Sequence, residues 1–315
     1  EQMAEQNHST VTEFILIGFS DHANLGVILF LVFLSFYLIT VLGNMGMVLL
    51  ICLDNRLHTP MYFFLSHLSL LDACYSSVII PQILVSLVIG RTRISYNSCA
   101  TQFFFFTVCA TTECFLLAVM AYDRYVAVSS PLLYSSAMTP GTRWGLVAGA
   151  YSGAFSGAIF RTSCTFTLSF CGPNQIDFFF CDLPPLLKLS CSDTTGIQNL
   201  IFFVNFVFMA NTLMILISYM LIIRAILRVK SVGGRAKTFS TCASHFTAVI
   251  LFFGTLTFMY VRSNSIKSLE EDKVVSVFYT VVIPMLNPFI YSLRNKEVKA
   301  AFRKVINRIQ ISQEM

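Results

Sequence analysis

Seven apolar stretches, each long enough to cross a bilayer as a helix, recur along this 315-residue chain. They cover about residues 25–53, 61–88, 98–128, 143–168, 197–227, 239–261 and 274–293. Some 20 apolar residues at ~1.5 Å each span the ~30 Å hydrocarbon layer. Strands of a membrane barrel would instead read as alternating runs of about ten residues. Short segments of Pro, Gly, Asn and charge separate the stretches and read as loops. There is no internal repeat and no sign of a second domain across 1–315. The expected fold is therefore an all-α membrane protein, a seven-transmembrane helix bundle over 25–293. Residues 1–24 make an extracellular N-terminus, and 294–315 a cytoplasmic amphipathic helix and tail.

Composition removes the soluble alternatives. Hydrophobic residues make up 56% of the chain and charged residues 12%, against about 25% charged in soluble domains. So few charges could not cover a soluble core of this apolarity. The net charge of +5 accordingly reads as topology, with no nucleic acid implied. With the N-terminus outside, Arg91, Arg93, Arg161, Lys188, Arg262, Lys267 and Lys273 fall outside and the other 14 of the 21 Lys and Arg fall inside. That is the direction the positive-inside rule requires. Residues 1–24 lack the apolar run of a cleavable signal, so the first helix is expected to serve as an uncleaved anchor. Asn7-His8-Ser9 is an acceptor pattern for glycosylation on that outer segment.

Of ten cysteines, Cys99, Cys171, Cys181 and Cys191 sit at the outer face, where oxidising conditions favour disulfides. Three pairings of four cysteines stand open. The absence of paired C-x-x-C elements argues against zinc.

Ionisable groups at bilayer depth are costly, so each is a functional candidate. Asp72 and Glu113 both fall near mid-membrane. Two facing acids there must share a proton or hold a cation such as sodium. Asp123-Arg124-Tyr125 ends the third span, where Asp123 can pair with Arg124 and release it when helices move. Pro284 and Pro288 flank Asn287 in the seventh span, ahead of Tyr291. Asn287 is expected to satisfy the backbone groups that proline frees. Tyr219 and His245 belong in the inner halves of their spans, within expected reach of Arg124 or Tyr291. After Asn295, Val298, Ala301, Phe302, Val305, Ile306 and Ile309 recur at helical spacing among basic residues, as in a helix lying on an anionic leaflet. No Ser/His/Asp or metal-ligand set converges at one depth, which excludes the common hydrolytic enzymes. A transporter or channel would carry repeat symmetry or paired broken helices, and neither is seen.

Five motifs in order then resemble one family. They are Leu57-His58-Thr59-Pro60-Met61-Tyr62-Phe63-Phe64-Leu65, Met120-Ala121-Tyr122-Asp123-Arg124-Tyr125-Val126-Ala127, Ser218-Tyr219, Lys237-Thr238-Phe239-Ser240-Thr241-Cys242-Ala243-Ser244-His245 and Pro284-Met285-Leu286-Asn287-Pro288-Phe289-Ile290-Tyr291-Ser292-Leu293-Arg294-Asn295. Along essentially its whole length the chain resembles a vertebrate odorant receptor of the tetrapod-type class, within the rhodopsin-like G-protein-coupled receptors. The resemblance implies a Cys99–Cys181 bond from the third helix to the second outer loop and a Cys171–Cys191 bond within that loop. It implies a sodium-type site at Asp72 and Glu113, and an activation network of Arg124, Tyr219, His245 and Tyr291. The implied partners are a small odorant, membrane lipid and the stimulatory olfactory G protein, which raises cyclic AMP, in the plasma membrane of sensory-neuron cilia. A receptor of the same family serving a non-olfactory metabolite is the alternative. Two positions depart from the family's habit. Phe178 stands where His is common, which takes a metal ligand from the loop, and Phe253 stands where Tyr is usual, which takes a hydroxyl from the pocket floor.

Two stripes recur at helical spacing, and the resemblance implies that both face a ligand cavity. Phe103, Phe106, Thr107, Ala110, Thr111 and Cys114 line the outer half of the third span, and Phe253, Leu256, Thr257 and Tyr260 the sixth. By analogy with the family, Phe203, Val207, Ser276 and Thr280 face the same cavity. With no acid expected above Glu113, the cavity suits a small, neutral, mostly apolar molecule oriented by Thr257 and Tyr260. Arg262 at the outer interface is the one candidate for an anion.

Overall fold

The computed structural model describes residues 11–19, 25–171, 173–192, 195–228, 232–261, 269–294 and 296–313. In chain order the helices are α1 (Gly26–Leu53), α2 (Pro60–Ile89), α3 (Tyr96–Ser129), the one-turn α4 (Tyr134–Ala137), α5 (Pro140–Phe166), the short α6 (Leu183–Lys188), α7 (Thr195–Arg228), α8 (Val232–Val261), α9 (Leu269–Val277), α10 (Ile283–Arg294) and α11 (Lys296–Gln313). A π turn over Phe278–Val282 joins α9 to α10, so these three form a single seventh rod. With α1, α2, α3, α5, α7 and α8, that rod completes a seven-transmembrane bundle.

Local chemistry fixes where the rods begin and stop. Thr59-Pro60 and Thr139-Pro140 start α2 and α5 with proline in the first turn, where its missing N–H costs nothing. The Thr139 hydroxyl also accepts from the Thr142 N–H at 3.2 Å. Ser95 caps α3 in the same way through the Ser98 N–H. Gly90, at φ 86°, ends α2 in a conformation that a side chain would resist.

Among the described residues, Gly26–Leu53, Pro60–Ile89, Tyr96–Ser129, Met209–Arg228 and Glu271–Ser292 are long and apolar enough to cross a membrane, and Cys242–Phe258 is apolar but shorter. α5 is long enough, but its glycines and serines dilute its apolarity. Polarity is inverted relative to a soluble protein. Leu, Ile, Val and Phe crowd the exposed faces, while Asn44, Asp72, Ser76, Thr112, Glu113 and Asn287 are buried. Inside the rods, hydroxyls bond back to preceding carbonyls, as Thr40 does to Phe36 and Thr112 to Val108, each at 2.7 Å.

The outer face holds a feature absent from the sequence reading, which treated residues 1–24 only as a polar segment. Residues Glu13–Leu16 form strand β1, Thr92–Ser95 form β2 and Gln175–Ile176 form β3, in the order β2-β1-β3. β1 pairs antiparallel with β2 and parallel with β3. Alternation along β1 points Phe14 and Leu16 inward, where both are fully buried. Phe14 meets Phe170 edge-on at 5.5 Å, and Phe19 stacks on Phe179 at 5.3 Å.

At the inner face α11 is anchored to the first inner loop and to the start of α2. Tyr62 donates to Glu297 at 2.8 Å, and Lys304 lies 3.7 Å from Asp54. Asp54 also takes two bonds from the Arg56 guanidinium, at 3.1 and 2.9 Å. That guanidinium holds the Asp54 carboxyl well below the usual carboxylate range.

Candidate functional site

Two disulfides shape the outer end. Cys99 joins Cys181 with Cα atoms 5.6 Å apart, tying α3 to the second outer loop. Cys171 joins Cys191 across 6.0 Å within that loop. Beside the first, Gln102 accepts from the Cys181 N–H at 3.0 Å and donates to the Val78 carbonyl at 3.2 Å, fastening loop, α3 and α2 together. Phe178 stacks on Phe179 beneath, Phe180 packs tilted against both, and Phe180 rests on Phe106 at 4.9 Å. Lys273 of α9, only 2% exposed, reaches Asp177 at 2.7 Å.

Asp182 follows Cys181, is buried and accepts from the Leu183 N–H. Burial pushes its carboxyl up from the ordinary value. Asp182 belongs to the outer loop and not to the α3 or α8 stripe. Its burial comes from loop packing and carries no periodicity that a sequence would display.

Under this roof the α3 stripe divides. Phe106 and Thr107 are buried, with Ala110 and Thr111 half-buried below them and Cys114 buried. Phe106 also lies 5.8 Å from the Tyr75 ring of α2. The Thr107 and Tyr75 hydroxyls are both buried without a hydrogen-bond partner among the described residues. Phe103 faces elsewhere, packing on Phe166 at 5.8 Å with the Arg161 guanidinium over its ring. On the seventh rod Ser276 and Thr280 are fully buried, but their hydroxyls are engaged. Tyr279 donates to Ser276 at 3.2 Å, and Thr280 donates to the Ser276 carbonyl at 2.6 Å.

On α8, Phe253 and Leu256 are buried and Thr257 half-buried. Phe253 and Thr257 also line a groove of about 880 Å³ between α7 and α8. The side chains of Phe203, Val207 and Tyr260 lie outside the described residues, as do Arg262 and Asn7.

Below the stripe sit Asp72 and Glu113, both essentially fully buried. Asn287 donates to one Asp72 oxygen at 2.9 Å. The other Asp72 oxygen, both Glu113 oxygens, the Asn287 oxygen and the Tyr291 hydroxyl have no partner among the described residues. Such a set of carboxylate and amide oxygens fits a hard cation or one retained proton. No cluster of three His, Cys, Asp or Glu that would hold a metal occurs among the described residues.

Asn287 was expected to satisfy the carbonyl freed by proline, but Asn44 of α1 takes that part. Pro288 has no N–H to bond the carbonyl four residues back, and Asn44 donates to that Pro284 carbonyl at 3.0 Å. Gly43 permits the approach, since a Cβ there would meet Pro288 at 3.4 Å.

At the inner end Arg124 is buried, with its guanidinium 3.7 Å from Asp123. The shorter bond to Asp123 comes from Tyr134 of α4, at 2.7 Å. Tyr125 is half-buried beside them. Tyr219 of α7 hydrogen-bonds to Nδ1 of His245 on α8. Tyr219 and His245 were expected to reach Arg124 or Tyr291. The structure bonds them to each other because α7 and α8 pack side by side at that level.

Comparison with known proteins agrees with this architecture. A family model described as olfactory receptor matches residues 33–309. Olfactory receptor 9I1 of Homo sapiens is 71% identical over 314 residues, covering 99% of this chain and 100% of the relative. Olfactory receptor 9Q2 of Homo sapiens is 63% identical, covering 97% and 98%. Olfactory receptor 9Q1 of Homo sapiens is 56% identical, covering 98% and 100%.

Proposed function

Since this chain belongs to the olfactory receptor family, a signalling family without enzymatic activity, we propose that it binds a small, neutral, mostly apolar volatile. Binding occurs in the outer half of the bundle and activates a stimulatory, olfactory-type G protein to raise cyclic AMP. The observation that carries this reading is the Thr107 hydroxyl, buried on the same stripe as Phe106 and without a partner among the described residues. A buried polar atom without a partner costs stability, so it favours a guest that supplies one. The Tyr75 hydroxyl supports the same reading from α2. Phe106, Ala110 and Leu256 contribute apolar wall, and Thr111 and Thr257 two further hydroxyls.

A ligand that prefers one arrangement of the helices shifts the population toward it. Arg124, close to Asp123 at 3.7 Å, and the Tyr219–His245 bond are the contacts that such a shift rearranges. Asp72, Glu113 and Asn287 would hold sodium or one shared proton, which offsets one of the two carboxylate charges in the core. The protein is a multi-pass protein of the plasma membrane. Its N-terminus lies outside, its C-terminus in the cytoplasm, and its site of action is the sensory cilium.

The test is a panel of neutral volatiles with a cyclic AMP readout, repeated on Arg124→Ala at equal surface expression. Agonists that act on the native protein and fail on the variant are expected. Full signalling by the variant would overturn the assigned role of Arg124.

A further inference from the structure

The groove between α7 and α8 has the shape and position of a portal. Thr212, Ile215, Leu216 and Tyr219 form one wall, and a stripe of α8 from Phe246 to Phe258 forms the other. Twelve residues of rise give that stripe a length of ~18 Å. Its outer part includes Phe253 and Thr257, the two groove residues that the sequence reading also assigns to the ligand cavity. Ile250, Phe258 and Leu216 are about half exposed on the bilayer side. Gly254 widens the gap, because a Cβ there would meet nothing within 4 Å, and its neighbour Phe253 is buried.

The described part of the aqueous face is closed by contrast. The β2-β1-β3 sheet, two disulfides, three mutually packed phenylalanines and the Lys273–Asp177 pair lie at that end. An apolar molecule is already concentrated in the bilayer, by about fourfold for each methylene group.

We propose that neutral apolar ligands dissolved in the bilayer reach the site laterally, through the groove between α7 and α8 at Gly254. This rests on the ligand site proposed above but not on G-protein coupling. A path changes the rates of binding and release by the same factor and leaves equilibrium occupancy unchanged, whereas a pocket wall changes occupancy.

The test uses the full chain in lipid vesicles and 3-trifluoromethyl-3-phenyldiazirine as a small neutral probe. The probe is mixed in rapidly and flashed at increasing delays, and insertion is mapped by mass spectrometry on the α3 peptide carrying Phe106, Thr107 and Thr111. Gly254→Phe, which fills open space, should lengthen the half-time of α3 labelling at least threefold. Phe258→Ala should shorten it, and the final extent should match the native protein in both. Native half-times in both variants would overturn the portal alone. An altered final extent at native rate would make the groove a pocket wall and also overturn it. A native protein whose α3 is never labelled would overturn the portal and the site together.

Discussion

Single residues divide into those conspicuous in the sequence and those that only the packed structure reveals. Asp72 and Glu113 stand out because a charge inside an apolar run has few uses other than function. Asn44 does not, because its partner is a carbonyl 240 residues away. Tyr75 and Gln102 were equally silent, since a lone polar residue on a span reads as packing until its neighbours are known. Thr107 was legible as one position of a helical stripe, but its distinguishing property, an unpartnered hydroxyl, was not. That property makes a sharp prediction. Thr107→Val keeps the shape and removes a buried group without a partner, so the thermal midpoint of the purified protein should hold or rise. Potency of a hydrogen-bonding agonist should fall about two- to tenfold, the worth of one ordinary hydrogen bond. An apolar agonist of similar size should be unaffected. A drop in thermal midpoint would mean that the hydroxyl has a structural partner.

Elements separate by how they announce themselves. The rods were legible because about 20 apolar residues in a row suit little besides a membrane span, although α8 begins at Val232, seven residues before its apolar run, and the seventh rod at Leu269, five before. The outer sheet was not, since β1 is four residues long and its partners come from two distant loops. Its weight nonetheless falls on one side chain. Phe14→Ala should remove about 3–5 kcal/mol of packing, seen as a collapse of surface expression. Arg93→Ala breaks only the exposed pair with Glu13, worth less than about 1 kcal/mol, and should express normally. Equal losses in the two variants would mean that strand pairing matters more than the buried ring. The amphipathic pattern of α11 was legible, but its anchorage was not. Asp54 is held as a carboxylate by Arg56 and reaches Lys304. A carboxyl lowered in the folded state lends stability that is present above the ordinary carboxylate range and lost as pH falls through the lowered value. Hydrogen exchange over 296–313 should therefore stay slow at about pH 4 and quicken only in stronger acid. Asp54→Asn should show fast exchange already at neutral pH. Identical exchange in the two proteins would leave α11 held by Tyr62–Glu297 alone.

At the scale of the whole molecule, orientation is set by a quantity that no single contact carries. Fourteen of 21 Lys and Arg fall on one side of seven spans, and each basic residue near a span resists crossing. An odd number of spans then places the two ends on opposite faces. The seven rods of the structure supply that odd number, with α5 counted although its glycines dilute it below the apolarity of its neighbours. If α5 failed to cross, six spans would put both ends on one face, and the sheet could no longer join residues 13–16, 92–95 and 175–176 on a single side. The sheet and the charge count therefore constrain the same topology independently. An epitope at the N-terminus should bind antibody on intact cells, and one at the C-terminus only after permeabilisation. Endoglycosidase should sharpen the native band on a gel, and Asn7→Gln should remove that shift, because only an outer Asn7 meets the glycosylation machinery. Antibody access to both ends of intact cells would remove one span and, with it, the common side on which the sheet, both disulfides and the ligand roof are built.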